Sequence, residues 1–199
     1  TVSGRSWWPC RPSSAYAVSK MYDEHHALAL ADERGLKTTI LRLFNSYGPK
    51  NHLTWWGGPT VTFIESLLNG EEMEIHGDGR QTRCFTYVDD TVEGFMRALE
   101  TPESRGEVVN VGSTELLTIT ELAAAVQEQL EIPQPLRARF IPYEALPGNY
   151  QDVRDRIPDT TKARELLGFE AKVSIQEGLA RTIEWHREQR VGQRIAAGA

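Results

Sequence analysis

The alternation of helical and strand-like segments is the feature that most limits how this chain can fold. Residues 13–34 have the apolar spacing of a helix that Gly35 ends, and residues 37–44 form a β-branched run of strand length. Further on, the sequence predicts a helix at 60–68, strands at 73–76, 83–88 and 107–111, a helix capped by Asp89 or Asp90, and helices at 118–130 and 174–189 that open with capping boxes. This pattern predicts an α/β fold, with strands too short and interrupted for a barrel.

The composition is that of a folded protein with an acidic balance. Of the 199 residues, 40% are hydrophobic and 25% are charged, and the net charge is −6. Nucleic acid is therefore not expected as a partner, because its binding needs a basic surface. No apolar run approaches the roughly 20 residues that span a bilayer, and the start lacks a signal-peptide core, so no membrane association and a cytoplasmic location are expected. Cys10 and Cys84 lie far apart, so neither a disulfide framework nor a metal site is expected.

One pair of residues on the first predicted helix has the chemistry of a proton-transfer site. Tyr16 and Lys20 are four residues apart, so both side chains project from one helix face. A nearby ammonium group favours the phenolate form of a tyrosine and can bring its pKa down toward the working range. The pair could then exchange a proton with a substrate hydroxyl. Taken alone, the same spacing is more typical of an ordinary solvated helix face.

Four ordered motifs give this pair a context. They are PSSAYAVSK at 12–20, RLFNSYGP at 42–49, HGDGRQTRCFTYVDD at 76–90 and RIPDTTKARELLGF at 156–169. Together they resemble the second half of the extended short-chain dehydrogenase/reductases, the NAD-dependent nucleotide-sugar epimerase/dehydratase family. The resemblance extends from Pro12 to about Trp185.

The resemblance implies a role for each motif residue near the reacting sugar. Tyr16 would be the catalytic base and acid, and Lys20 would hold the nicotinamide ribose and lower the pKa of the tyrosine. Leu43 and Phe44 would meet the nicotinamide end of the cofactor through their backbone. Asn45 would reach the sugar diphosphate through its amide.

The resemblance also implies a nucleotide-binding set further along the chain. His76 would pack against the nucleobase with Glu74 beside it. Arg83 and Arg156 would clamp the diphosphate, a role suited to the planar guanidinium. The expected ligands are NAD, in preference to NADP, and a UDP- or dTDP-sugar. A homodimer is the expected assembly of the complete protein.

Structural explanations remain open for several of these residues. Asn45 could be a turn residue that tolerates a left-handed backbone, and His76 could be an ordinary hydrogen-bonded histidine. Arg83 could pair with Asp89 or Asp90, which otherwise cap a helix. Arg156 could belong to a solvated charge cluster with three nearby acids, which are Asp152, Asp155 and Asp159. The Trp55–Trp56 pair could line the substrate site, pack on its own core or form a dimer contact.

The family's glycine-rich cofactor turn has no counterpart here. The Gly77-Asp78-Gly79 segment has Thr82 where a third glycine should stand. We therefore expect the cofactor turn to lie upstream of Thr1 or on a separate N-terminal half. On this view the chain alone is inactive and cannot hold NAD in the family manner.

The sequence thus predicts a partial Rossmann-type domain, a doubly wound parallel sheet, plus a smaller α/β substrate domain. The expected parts are residues 1–58 with the catalytic helix, residues 59–190 mainly for substrate with some segments returning to the sheet, and a frayed tail at 191–199. A nucleotide-sugar 4-epimerase acting through a 4-keto sugar ranks first, a 4,6-dehydratase second and a UDP-glucuronate decarboxylase third. A non-catalytic nucleotide-sugar-binding module or a purely structural α/β domain are the alternatives from other classes.

Overall fold

The computed structural model of this protein describes residues 14–51, 58–146 and 152–197. The first helix, α1 (Ala15–Arg34), begins at Ser14, whose side-chain oxygen accepts a hydrogen bond from the Ala17 N–H at 3.1 Å. It ends at Gly35, which adopts φ 67°, a left-handed conformation that favours glycine. The predicted helix at 13–34 is confirmed to within two residues at its start. Cys10 and the Trp55–Trp56 pair lie outside the described residues.

The remaining elements confirm the α/β class. The strands are β1 (Ile40–Leu43), β2 (Ser46–Tyr47), β3 (Met73–His76), β4 (Thr82–Cys84), β5 (Thr86–Tyr87), β6 (Val108–Val111), β7 (Leu116–Thr118), β8 (Ala138–Ile141) and β9 (Asp155–Arg156). The helices after α1 are α2 (Gly58–Leu68), α3 (Val88–Glu100), α4 (Ile119–Gln129), α5 (Thr161–Leu167) and α6 (Ile175–Ala197).

Most strand pairs are parallel and join segments distant in sequence. The parallel pairs are β1 with β6, β2 with β5, β3 with β8, and β4 with β9, while β4 and β7 run antiparallel. The predicted strand at 83–88 is divided, because β4 and β5 pair with different partners on either side of Phe85. The pairing of β1 with β6 joins a strand of residues 1–58 to a later segment of the chain, and the domain boundary near residue 58 stays a prediction.

The buried apolar residues form two clusters. The larger lies among α2, β3, α4 and α6 and includes Phe63, Ile75, Leu122 and Leu179. The smaller joins α3, β6 and α5. Helix α1, by contrast, has no buried residue. The apolar side chains of α1 are therefore not part of either core cluster.

The prediction that Asp89 or Asp90 caps α3 is wrong. The residue before the helix is Tyr87, which makes no side-chain cap, and both aspartates lie within the first turn. Asp90 is buried, and its Oδ2 accepts hydrogen bonds from the backbone N–H groups of Lys172 at 3.1 Å and Val173 at 3.0 Å. It therefore anchors the segment before α6 to α3.

Replacing Asp90 with alanine should destabilise the protein far more than replacing Asp89. Loss of the buried carboxylate leaves two N–H groups without their charged acceptor, a cost of about 3 kcal/mol in the free energy of unfolding. Asp89 is exposed and contacts Arg181 at 3.3 Å, so Asp89→Ala should cost at most about 1 kcal/mol. Urea unfolding of both variants measures the difference. Equal losses would contradict the anchoring role of Asp90.

The capping box predicted for α4 is confirmed. Thr118 Oγ1 accepts from the Glu121 N–H at 3.1 Å, and Glu121 accepts from the Thr118 N–H at 2.7 Å. The two hydrogen bonds from Thr118, first from its backbone and then from its hydroxyl, lower the pKa of Glu121 below its usual value. Because the pKa of Glu121 is lower in the folded state than in the unfolded state, its carboxylate stabilises the fold at neutral pH.

Thr118→Ala should therefore lower the free energy of unfolding by about 1 kcal/mol at pH 7. Because the folded-state pKa of Glu121 is lowered, the carboxylate's contribution to stability is present above its unfolded pKa of about 4.3 and is lost as the pH falls through the folded value. Urea unfolding at pH 7 and at pH 3 checks both statements. A deficit at pH 3 as large as that at pH 7 would contradict them.

The last helix is longer than the sequence predicted. Ser174 Oγ accepts from the Glu177 N–H at 3.2 Å, but α6 continues to Ala197 instead of ending near Gln189. His186 Nδ1 lies 2.6 Å from Glu65 Oε1, so α6 is fixed to α2 beyond its apolar contacts. In the described part of the chain, no helix is long and apolar enough to cross a membrane.

Candidate functional site

A cleft of about 560 Å³ lies between α2 and the strands β3, β4 and β9. Side chains from distant parts of the sequence line it. The residues are Asn45, Gly58, Pro59, Thr62, Phe63, Ser66, Glu71, Glu72, Glu74, His76, Gln81, Arg83, Phe85, Ile119, Asp152 and Arg156. The structure thus brings together all five residues that were expected to contact a nucleotide sugar, namely Asn45, Glu74, His76, Arg83 and Arg156.

Strand register places the two arginines side by side. Strand β9 pairs with β4 in parallel, and Arg156 is the partner of Arg83 in that register. Paired residues on neighbouring strands point to the same sheet face, with their backbones about 4.8 Å apart. Two guanidinium groups that are 73 residues apart in sequence therefore flank one part of the cleft.

Arg83 is buried and held by three contacts with described residues. Its Nη2 donates to Asp152 Oδ1 at 2.5 Å, and its Nη1 donates to the Thr82 carbonyl at 2.7 Å and to the Arg154 carbonyl at 3.4 Å. The expected structural pairing with Asp89 or Asp90 is therefore wrong, since Asp152 is the partner. Because a guanidinium has five N–H donors, these contacts leave donor capacity for a ligand.

Arg156 is exposed at the mouth of the cleft. The acids that were expected to surround it are engaged elsewhere: Asp152 pairs with Arg83, Asp155 accepts from the Thr82 hydroxyl at 2.6 Å, and Asp159 accepts from the Thr161 N–H at 3.0 Å. None of these three acids forms a direct ion pair with Arg156 among the described residues, so the solvated cluster stays a prediction. Arg83 is paired with Asp152, whereas the positive charge of Arg156 is not paired with any of these three carboxylates.

Asn45 combines a turn conformation with a position in the cleft. Its φ is 41°, and its side-chain amide donates to the Cys84 carbonyl at 2.7 Å. The left-handed backbone confirms the turn that the sequence indicated. The same hydrogen bond fixes the Asn45 side chain against the end of β4, one residue after Arg83 on that strand.

His76 and Glu74 line the cleft from β3. Glu74 is exposed and pairs with Arg139 of the neighbouring strand β8. The backbone carbonyl of His76 accepts from the Gln81 side-chain amide at 2.8 Å. This contact closes the Gly77-Asp78-Gly79 turn, in which Gly77 and Gly79 adopt φ of 73° and 70°.

Tyr16 and Lys20 lie on α1 and do not line this cleft. The Lys20 ammonium is 5.9 Å from the centre of the Tyr16 ring, which confirms that they share a helix face. Lys20 also donates to Asp23 Oδ2 at 3.0 Å, and this hydrogen bond raises the pKa of Lys20 above its usual value. The ammonium group therefore stays charged beside Tyr16 across the physiological pH range.

Leu43 and Phe44 mark the carboxyl end of β1. Leu43 pairs with Val111 at the end of the parallel strand β6, and the Phe44 carbonyl accepts from the Thr86 hydroxyl at 2.7 Å. Arg42 on the same strand donates to both carboxylate oxygens of Glu24 at 2.8 and 2.6 Å, which connects β1 to α1. In parallel α/β sheets, ligands bind beyond the carboxyl ends of the strands.

For Asp152 and Gln81, the sequence did not predict the contacts that the structure shows. Asp152 was assigned to the wrong arginine, because charge alone does not reveal which of three nearby acids the fold brings to Arg83. Gln81 was not singled out, although it directly precedes β4 and lines the cleft together with Arg83. Among the described residues, no group of three or more His, Cys, Asp or Glu side chains could hold a metal ion.

Residues 7–182 match the family model described as GDP-mannose 4,6 dehydratase. The chain belongs to this family, and its resemblance to the nucleotide-sugar epimerases and dehydratases is confirmed. A UDP-N-acetyl-alpha-D-glucosaminuronate decarboxylase from Bacillus cytotoxicus is 36% identical over 175 residues, covering 87% of this chain and 53% of the relative.

Solved structures agree with this assignment. A UDP-glucose 4-epimerase from Thermotoga maritima, solved with UDP-glucose, has a TM-score of 0.81 at 36% identity, covering 90% of this chain and 55% of that one. A UDP-glucuronic acid 4-epimerase variant from Bacillus cereus, solved with NAD and a fluorinated substrate analogue, has a TM-score of 0.82 at 28% identity, covering 95% and 58%. The chain thus spans about half the length of the relatives it matches.

Proposed function

We propose that this chain is the substrate-binding half of an NAD-dependent nucleotide-sugar 4-epimerase that acts through a transient 4-keto sugar. The observation that carries the proposal is the register of β4 and β9, which sets Arg83 beside Arg156 in a cleft that also holds Asn45, Glu74 and His76.

A pair of arginines suits the diphosphate of a nucleotide sugar. A diphosphate loses strong hydration on binding, and charge-assisted hydrogen bonds from guanidinium groups offset that loss. Arg83 is preorganised by its contact with Asp152, while Arg156 supplies a charge at the cleft mouth. The nucleoside would extend toward His76 and Glu74, and the sugar toward Asn45.

Tyr16 would move the proton at the sugar hydroxyl. The Lys20 ammonium lies 5.9 Å from the centre of the Tyr16 ring and donates a hydrogen bond to Asp23. Tyr16 would accept the proton of the C4 hydroxyl and return a proton to the oxygen when the ring carbon is reduced. Asn45, held by the Cys84 carbonyl, would keep the sugar at the end of the cleft that faces β1.

The carboxyl ends of β1 and β6 fit a cofactor of the NAD type. Leu43 and Phe44 end one strand beside the end of its parallel neighbour, the position where dinucleotides bind in such sheets. Bound NAD supplies reversible oxidation of the sugar carbon. Lys20 would hold the nicotinamide ribose, and the backbone of Leu43 and Phe44 would border the nicotinamide.

Decarboxylation, ranked third from the sequence, becomes the second candidate activity because of the curated relatives. The Bacillus cytotoxicus relative is a decarboxylase, and its identity to this chain equals that of the Thermotoga maritima epimerase. The Ala17-Val18-Ser19 segment between Tyr16 and Lys20 is similar to that of epimerases, which is why epimerisation ranks first.

Proton NMR of the full-length enzyme with NAD and either UDP-glucose or UDP-glucuronic acid distinguishes these activities. A 4-epimerase inverts the coupling pattern at C4 and keeps every carbon atom. A decarboxylase converts UDP-glucuronic acid to a pentose and releases carbon dioxide. Unchanged spectra with both substrates would contradict the proposed function for these sugars.

A further inference from the structure

The side-chain amide of Gln81 is buried, and one of its two polar atoms has no hydrogen-bond partner among the described residues. It is 4% exposed, and its Nε2 donates to the His76 carbonyl at 2.8 Å. A carbonyl only accepts hydrogen bonds, so this contact fixes which end of the amide is nitrogen and which is oxygen. The Oε1 atom is buried and finds no hydrogen-bond donor among the described residues.

Burying a hydrogen-bond acceptor that has no donor lowers the stability of the fold, because the acceptor loses its water and gains no partner. Other buried amides of this chain avoid that cost. Gln127 is fully buried, donates through Nε2 to the Pro133 and Pro135 carbonyls at 3.1 Å, and accepts from the Arg137 N–H at 2.7 Å. Gln81 differs from Gln127 in that it lines the cleft.

The backbone holds Gln81 rigidly in that position. The Ile119 N–H donates to the Gln81 carbonyl at 3.2 Å, and the Thr120 N–H donates to the Gly79 carbonyl at 3.0 Å. The start of α4 therefore fixes the turn before β4 from one side. With Nε2 bound to His76, the Gln81 amide has little freedom to turn away from the cleft.

The order of residues along β4 indicates which part of the ligand Gln81 meets. Asn45 binds the carbonyl of Cys84, one residue after Arg83, whereas Gln81 lies two residues before Arg83, immediately ahead of β4. Gln81 and Asn45 therefore lie on opposite sides of the arginine pair. If the diphosphate lies at the arginines and the sugar at Asn45, the nucleoside lies at Gln81.

We propose that Gln81 Oε1 accepts a hydrogen bond from the nucleoside of the bound nucleotide sugar, and so is a recognition residue for this part of the substrate. The inference rests on the proposed function. The donor is an O–H of the ribose or an N–H of the base, since both present a polarised hydrogen to a carbonyl oxygen.

Calorimetric titration of the full-length protein with UDP, pyrophosphate and modified UDP tests this assignment in wild type and Gln81→Met. Methionine keeps the length of the side chain and removes the acceptor. The affinity for UDP should fall by about three- to tenfold, the worth of one neutral hydrogen bond, while the affinity for pyrophosphate stays the same.

Modified nucleotides identify the donor. In wild type, one of 2′-deoxy-UDP, 3′-deoxy-UDP and 3-methyl-UDP should bind less tightly than UDP by the same factor. In Gln81→Met that nucleotide and UDP should bind equally, because the acceptor is already absent. Equal losses for all four nucleotides and pyrophosphate would mean that the substitution shifts Arg83, and would overturn the inference.

Gln127→Met is the matched control. Both ends of Gln127 are satisfied, so its replacement should lower the melting temperature more than Gln81→Met does and leave UDP affinity unchanged. Unchanged UDP affinity in Gln81→Met would overturn the role of Gln81 alone. Absence of UDP binding in wild type would instead contradict the proposed function.

Discussion

Replacing Tyr16 with phenylalanine in the full-length enzyme should lower the turnover number by about 100-fold or more. The change removes only the phenolic oxygen, so it removes proton transfer at the sugar hydroxyl while the ring remains. Nucleotide-sugar affinity should be unchanged, because Tyr16 does not line the cleft that holds the arginine pair. Steady-state turnover and calorimetric affinity for UDP-glucose measure the two quantities.

Tyr22→Phe is the control for this substitution. Tyr22 lies on the same helix, is 64% exposed and packs its ring 5.4 Å from that of His26. Loss of its hydroxyl should leave turnover near the wild-type value. A Tyr16→Phe enzyme with near-normal turnover, or one whose substrate affinity falls as much as its turnover, would contradict proton transfer by Tyr16.

Replacing Arg156 with alanine should weaken UDP binding by about ten- to a hundredfold without changing the melting temperature. A hydrogen bond to a charged group contributes roughly 1.5 to 3 kcal/mol, and exposed Arg156 has none of the acids near it in sequence as its partner. Calorimetry with UDP and a thermal melt of the same sample measure both effects.

Arg83→Ala should produce both a loss of affinity and a loss of stability. The affinity for UDP should fall by a similar factor, and the free energy of unfolding should fall by about 3 kcal/mol because Asp152 loses its buried partner. Thermal melts and UDP titrations of the two arginine variants therefore separate binding from folding.

Arg154→Ala serves as the control for both arginines. Arg154 is on the same segment but pairs with Asp78 at 2.8 Å on the surface, so its loss should change UDP affinity little. Unchanged UDP affinity in both Arg83→Ala and Arg156→Ala would remove the diphosphate role. An equal loss in Arg154→Ala would reduce that role to general charge attraction.

Local sequence signals predicted two of the helices correctly. Periodicity and caps placed α1 and α4, including the Thr118–Glu121 box, because those signals act within a few residues. Family motifs led to Arg83 and Arg156, and the structure brings both into one cleft. Their roles in binding remain predictions.

What the sequence did not reveal depends on contacts between distant segments. Asp90 resembled a helix cap, but its partners are backbone groups 82 and 83 residues away. Asp152 was assigned to Arg156 because it is near in sequence, whereas the β4–β9 register brings Arg83 beside its segment. Strand β8, which pairs with β3, was not predicted. Its four residues are too few for an alternation of apolar and polar side chains to distinguish a strand from a loop.

A crystal structure of the full-length protein with UDP-glucose and NAD tests the central claim most directly. The account predicts the diphosphate between the Arg83 and Arg156 guanidinium groups, the nucleoside beside Gln81 and His76, and the sugar on the Asn45 side with its C4 hydroxyl within hydrogen-bond distance of Tyr16. A nucleotide bound away from the arginine pair, or a sugar placed beyond the reach of Tyr16, would contradict it.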